Sequence, residues 1–363
     1  MINRNKIESQ RKINIEKIQF DKKIKDFFYT TSYFIKTRNI LLNKKNDIEC
    51  TMQFIHFSDW AIMSGSQEII ELLKFSLTKE QLKSIEVYIA NDNEIIDKDT
   101  PLMIIKGKYT IFGWLENIID GILANRCSVA TNTKKLTNNL LPHQKIIYMC
   151  DRTNNYFSQS YDAYPAYLNG IDLFVTNAQI NLFDNDSNVK VIGTIPHALI
   201  HQYHNNLLEM IQDYKEIYPE TDLYCLIDFE NDVIKTLEQI KPIMQLIKGI
   251  RIDTSNNLID KSLEQNGLFG VNAQLVDIVK NWLNRNNFLD KKIIVTSNIN
   301  PNKINDINQQ TSAVDFYGVG SYFNYPSVHV SADLVKYNDE NYAKFGRNYL
   351  KNAKNLTKIN FSY

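Results

Sequence analysis

From Lys145 to Gly320 the chain alternates short apolar runs with amphipathic segments. The runs are KIIYMC (145–150), IDLFVTN (171–177), VKVIGT (189–194), LYCLID (223–228), IKGIRID (247–253), KIIVTSN (292–298) and VDFYGVG (314–320). Apolar stretches this short, bounded by polar turns, read as buried strands. Most are separated by segments such as NDVIKTLEQIKPIMQLI and NAQLVDIVKNWLNR, whose apolar residues recur at helical spacing. The alternation predicts an α/β fold with a parallel sheet covered by helices. Seven units fit an irregular (β/α) barrel. An open, doubly wound sheet is the alternative, because periodicity does not report closure.

The first hundred residues read differently, as a smaller α+β unit. Helical periodicity runs from Asn14 to Phe27 and leads into TTSYFIKTRNILL, while IEVYIA (85–90) and PLMIIKG (101–107) read as strands. YTIFGWLENIIDGILANRCSVATNTKKL, from Tyr109 to Leu136, predicts one long helix. The expected division is an amino-terminal domain over 1–125, a barrel over 126–330, and a tail over 331–363 that packs on the amino-terminal domain.

Composition narrows the classes. Charged residues make up 23% and hydrophobic ones 44%, so a large core can be buried. Lys+Arg 41 balances Asp+Glu 41, which gives no net field for nucleic acid. The balance is uneven, since the stretch to Lys45 is basic. It reads as a solvated face or as part of a polyanion site. Cys50, Cys127, Cys150 and Cys225 form no CxxC pair, which argues against a disulfide framework or a structural zinc site. No apolar run is long enough to span a membrane, and the charged start is unlike a signal peptide. A cytoplasmic protein is expected.

Each predicted strand ends in reactive side chains: Asp151-Arg152, Thr176-Asn177, Gly193-Thr194 with His197, Asp228, Arg251 with Asp253, Ser297-Asn298, and Gly318 to Ser321. In a barrel such ends converge on one mouth, where catalytic groups collect. Gly318 and Gly320 leave backbone N–H groups open to a phosphate, or make a plain turn. Arg251 and Asp253 share a strand face and suit an anion and ribose hydroxyls, or simply each other. His197 and His201 have zinc-like spacing without an accompanying HExxH glutamate, and His197 reads equally as a nucleophile or a structural histidine.

In this order, from about Thr30 to Arg347, the segments resemble the nicotinate phosphoribosyltransferase family. These are type II phosphoribosyltransferases, related to nicotinamide and quinolinate enzymes. TTSYF is similar to an amino-terminal T-D-x-Y segment and places Tyr33 against the pyridine ring from a neighbouring subunit, with Thr31 at the aspartate position. In ANRCSVATNTKKL, Lys134 or Lys135 stands for a terminal arginine. YMCDRT resembles D-F-G-x-R, which gives Arg152 a substrate and pyrophosphate contact and puts Met149 at a phenylalanine position. GTIPHA is similar to G-T-x-x-H-S and places His197 on a histidine phosphorylated by ATP, followed by Ala198, with Asp228 orienting it. GIRIDTSN resembles G-x-R-x-D-S-G-D; it carries over Arg251 and Asp253 and has Asn256 at the second acid. YGVGSY is similar to the phosphate loop of Gly318, Gly320 and Ser321. ADLVKYNDENYAKFGRN brings Lys344 and Arg347 toward phosphate. The resemblance implies catalytic His197, Asp228 and Asp253. Its substrate contacts are Tyr33, Arg152, Thr176, Arg251, Ser297, Gly318, Gly320, Ser321, Lys344 and Arg347. It further implies nicotinate, phosphoribosyl pyrophosphate and ATP as substrates, Mg²⁺ with phosphoribosyl pyrophosphate, no metal bound by protein alone, and a homodimer with shared active sites. Nicotinate is favoured over nicotinamide because the second strand tip, Val175-Thr176-Asn177, lacks a carboxylate to accept an amide N–H. A catalytically silent family member is the rival reading.

Overall fold

The computed structural model describes residues 11–353 and 355–361. Arg4, Lys6 and Glu8 of the basic stretch lie outside them.

A mixed antiparallel unit comes first. Its strands are β1 (Glu49–His56), β3 (Glu86–Ala90) and β5 (Pro101–Lys108), and the hairpin-like pair β2 (Trp60–Ile62) and β4 (Ile95–Asp97) stands beside them. The strands expected at 85–90 and 101–107 are therefore present, and β1 is additional. Beyond it the chain forms a second sheet of β6 (Lys145–Tyr148), β7 (Leu173–Phe174), β8 (Lys190–Val191), β9 (Tyr224–Leu226), β10 (Gly249–Ile252), β11 (Lys292–Val295) and β12 (Phe316–Val319). The tail then returns as β13 (Val330–Tyr337), β14 (Glu340–Asn341) and β15 (Leu356–Lys358), giving the first sheet the order β14-β13-β1-β5-β3-β15.

All seven apolar runs became strands of the second sheet, and its pairings are parallel. The order is β8-β7-β6-β12-β11-β10-β9. Each crossover from β6 to β8, and from β9 to β12, steps in one direction, and β12 closes against β6. A doubly wound sheet reverses direction at its first strand, so that alternative does not describe this one. The order is circular and interrupted only between β8 and β9, where the Ile195 N–H reaches the Tyr224 carbonyl at 3.4 Å. The sheet is thus curled and barrel-like, with a single seam.

Strand parity sorts side chains to its two faces. Ile147, Leu173, Tyr224 and Ile294, with Met149, Val175, Ile192 and Phe316, form one compact cluster on the inner face. Continuing the same alternation turns Thr194, Asp228, Arg251, Asp253, Thr296, Gly318 and Gly320 to the inner face, above that apolar plug. The outer face packs against helices in a larger core.

Two expectations need correction. The stretch Asn14–Phe27 is not one helix; it makes two short 3₁₀ turns, Ile15–Lys17 and Lys22–Asp26. Its apolar residues serve different cores, Ile13 and Ile18 packing on the barrel side and Phe20, Ile24 and Phe27 on the antiparallel side. A single helix face cannot supply both. The helix expected over Tyr109–Leu136 is divided into Tyr109–Phe112, a 3₁₀ turn at Gly113–Leu115 and Glu116–Thr137. The Tyr109 ring folds onto Gly113 at the break, where a Cβ would lie only 2.4 Å from ring carbons.

Candidate active site

At the carboxyl ends of the parallel strands one network joins three of them. The Arg251 guanidinium, on β10, donates from Nε to Thr296 Oγ1 (3.0 Å), from Nη1 to Thr194 Oγ1 (2.7 Å) and from Nη2 to Asp253 Oδ2 (2.8 Å). The Thr296 hydroxyl in turn donates to Asp253 Oδ1. Both side chains of the ion pair are largely buried, at 14% and 19% exposure. Arg251 carries five N–H donors, so this network leaves two for a ligand. Its charge is offset by Asp253, but its geometry is fixed in advance.

On the segment after β8 that also carries Thr194, His197 starts the short helix His197–Gln202. Its Nε2 lies 3.3 Å from Asp228 Oδ2. The imidazole is half exposed, while Asp228 is largely buried. The hydrogen bond that His197 donates to Asp228 holds the His197 pKa above its ordinary value; burial and Arg251 oppose this, and the charges of Asp228 and Asp253 assist it. The ring lies near-parallel to Phe229 at 6.3 Å. Asp228 Oδ1 is buried without a hydrogen-bond partner among the described residues, an atom that a ligand hydroxyl or water can satisfy.

The remaining strand-end residues divide. Ser297 and Asn298 both hold left-handed backbone, with φ 75° and 53°, a strained corner directly above Thr296. Gly320 caps the turn Ser321–Asn324 and Ser321 is exposed. Gly318 plays a packing part: a Cβ there would stand 2.5 Å from Thr296 Cγ2 and 2.7 Å from Met149 Sδ. Thr176 caps the helix Asn177–Ile180 and donates to Gln159 Oε1 at 2.8 Å, so its hydroxyl is committed to local structure. Gln159 also donates to the Asp151 carbonyl at 2.9 Å, tying the first two strand ends together. Arg152 is exposed.

Tyr33, Lys344 and Arg347 are not brought to this mouth within one chain. Tyr33 is exposed on the helix Ser32–Lys44, its ring edge-on to Phe34. Lys344 lines a groove of about 410 Å³ on the antiparallel unit with Tyr109, Glu116 and Asp333. Arg347 pairs with Asp333 at 2.7 Å and covers Phe57.

Two residues not singled out from the sequence belong to the mouth. Thr296 holds Arg251 together with the strand-end Thr194; its signal was strand parity, since it follows the inward Ile294 by two. The second is Lys303, on the helix Pro301–Asn308, whose ammonium reaches Asn256 Oδ1 (2.9 Å) and the Ser297 carbonyl (3.0 Å). Nothing local in NPNKIND marks it, because its role depends on two loops folding beneath it.

Metal chemistry is constrained by the same bonds. Among the described residues no cluster of three His, Cys, Asp or Glu side chains could hold an ion. Both oxygens of Asp253 already accept hydrogen bonds, and Asn256 offers no charge. The mouth does not fit a protein-held divalent ion. No helix among the described residues is long and apolar enough to cross a membrane.

No family model matches the sequence, and no curated protein matches it. Solved structures do. The chain is similar to nicotinate-nucleotide pyrophosphorylase from Pyrococcus furiosus, with 21% identity and a TM-score of 0.75 over 91% of this chain and 80% of that one. It is similar to human nicotinic acid phosphoribosyltransferase, with 13% identity and a TM-score of 0.64 over 86% and 76%. For the Ehrlichia chaffeensis nicotinate-nucleotide pyrophosphorylase the values are 14% and 0.60, over 88% and 99%. At these identities the likeness is one of fold.

Proposed function

We propose that a chain with this shared fold is a nicotinate phosphoribosyltransferase, joining nicotinate to phosphoribosyl pyrophosphate with release of pyrophosphate and coupled hydrolysis of ATP. The observation that carries the reading is the Arg251–Asp253–Thr296–Thr194 network, set beside His197–Asp228 at the mouth of the curled sheet. The names borne by proteins of the same fold, nicotinate-nucleotide pyrophosphorylase and nicotinic acid phosphoribosyltransferase, point to the same chemistry.

The pyridine nitrogen displaces pyrophosphate from C1 of the ribose through an oxocarbenium-like transition state, so alignment and charge placement matter more than a strong base. The two uncommitted N–H groups of Arg251 donate to the nicotinate carboxylate, and the Thr194, Thr296 and Asp253 bonds hold that fork rigid. Asp253 also faces the ribose hydroxyls. The Gly320–Ser321 backbone, packed through Gly318, receives the 5′-phosphate, with Ser297 beside it. Arg152 meets the leaving pyrophosphate, and Mg²⁺ arriving with the substrate supplies neutralising charge. Tyr33, Lys344 and Arg347 come from the second subunit of a homodimer. The neutral His197 takes the γ-phosphoryl group of ATP on Nδ1 with release of ADP, Nε2 facing Asp228, and water later removes that group as phosphate, which frees the imidazole again. At the second strand end the Thr176 hydroxyl is occupied by Gln159 and no carboxylate is present to accept an amide N–H, which favours nicotinate over nicotinamide.

Turnover with nicotinate, nicotinamide and quinolinate, each with phosphoribosyl pyrophosphate and with or without ATP, tests the reading. Nucleotide should form fastest from nicotinate and faster with ATP. Faster turnover of either other substrate would sink the assignment, and no turnover with any would favour a silent binding protein.

A further inference from the structure

Among the described residues no carboxylate forms an ion pair with Lys303, and only the charge of Asp253 acts on it from further off. Its ammonium bonds only neutral oxygens, Asn256 Oδ1 and the Ser297 carbonyl, and no described carboxylate pairs with it. Asp253 is the nearest acid influence, and that carboxylate is already turned to Arg251 and Thr296. Burial pulls the lysine pKa below its ordinary value, the cost of holding a cation there without a partner. The side chain comes from the first turn of the helix Pro301–Asn308, whose cap Asn300 accepts the Lys303 N–H, and it spans from the loop after β11 to the loop after β10. Asn256 is held against Gly270, where a Cβ would come within 2.9 Å of its Oδ1. The ammonium is therefore fixed in place rather than swinging in solvent.

We propose that Lys303 binds a phosphate group of phosphoribosyl pyrophosphate at the mouth, between the loops that follow β10 and β11. The inference rests on the transferase reading above and adds a residue to it. A lysine is a compact point charge that pairs readily with phosphate. Here it stands beside the strained Ser297–Asn298 corner, and the neutral Asn256 leaves its charge unspent. An acid at Asn256 would cancel that charge; the carboxamide preserves it while still fixing the side chain. The competing account is a clamp, in which Lys303 does no more than brace Ser297.

Two substitutions separate the accounts. Lys303→Met removes charge and clamp together. Asn256→Asp keeps the clamp, as an ion pair, and neutralises the charge. Each is titrated calorimetrically with inorganic pyrophosphate and with ribose 5-phosphate, without divalent ions, and melting temperatures are recorded. Both variants should bind the same one of these two ligands about tenfold or more weakly than the wild type, as expected when a charged hydrogen bond is lost. Asn256→Asp should melt no lower than wild type. The ligand that weakens identifies which phosphate Lys303 meets. Wild-type affinity for both ligands in either variant overturns the proposal and leaves the clamp, and so does a wild-type protein that binds neither. Should the pattern hold while no pyridine acid is turned over, Lys303 stands as an anion site and the transferase reading fails separately.

Discussion

Thr296 is held between a glycine below it and an ion pair beside it. A methyl group on Gly318 would meet Thr296 Cγ2 at 2.5 Å, and the threonine hydroxyl is already bonded to both Arg251 and Asp253. Gly318→Ala should displace the guanidinium, lowering kcat/KM by about a hundredfold, the scale of a misplacement near 1 Å. The overpacking should cost about 1–3 kcal/mol in a urea titration. An unchanged kcat/KM would show that Met149 alone gives way. At His197 the prediction concerns protonation. The Asp228 hydrogen bond keeps the imidazole protonated to higher pH than usual, and in the proposed phosphorylation only the neutral ring would attack ATP. Phosphohistidine formation should rise with pH through the raised pKa, and Asp228→Asn should move that rise to lower pH. His197→Ala should stay folded and lose the acid-labile phosphate. If the alanine variant unfolds, the histidine is structural.

Among the elements, the helix Glu116–Thr137 carries the clearest linkage to pH. Burial, with Asp120 and Asp333 nearby, pushes the Glu116 pKa up to about 8, and burial with Asp333 pushes Asp120 to about 7. Both values exceed those of the unfolded chain. Their contribution to stability is therefore complete below about pH 4 and is lost as pH rises through 7 and 8. Glu116→Gln should flatten the fall in urea midpoint between pH 6 and 9; a parallel curve would show that the helix end is better solvated than its burial suggests. The elements also show what the chain alone could reveal. The seven parallel strands were legible because they are nearly uniform apolar runs closed by polar ends, and the mouth residues on them followed from those ends. β1 was not legible: ECTMQFIH mixes polar and apolar residues, and Gln53 is satisfied by both backbone groups of Leu350. Its partner β13 lies nearly the whole chain away. The Asn14–Phe27 stretch misled for the opposite reason, since its spacing is helical but its apolar residues belong to two cores.

On the scale of the whole molecule, Tyr33, Lys344 and Arg347 sit on the antiparallel unit, and none of them makes a described hydrogen bond or ion pair with a mouth residue. The proposed shared site in a homodimer would account for the separation. Tyr33→Ala and Asp253→Ala protomers, each inactive, should regain up to about a quarter of wild-type activity when mixed in equal amounts and refolded, because half the dimers are hybrids with one intact site. Failure to complement, with hybrid dimers verified, would place a complete site within one chain. The seam between β8 and β9 has a consequence for motion. From β9 round to β8 every neighbouring strand pair shares a hydrogen-bonded ladder, whereas at the seam the described residues show one long backbone bond, Ile195 to Tyr224, beside the side-chain bonds His197–Asp228 and Arg251–Thr194. Amide exchange should therefore be slowest in β10, β11, β12 and β6 and fastest over 192–206, which includes the turn bearing His197. On the proposed reading the segment bearing His197 would open for ATP and product, and because Thr194 in the same segment bonds Arg251, each opening would also loosen the fork that holds the pyridine carboxylate.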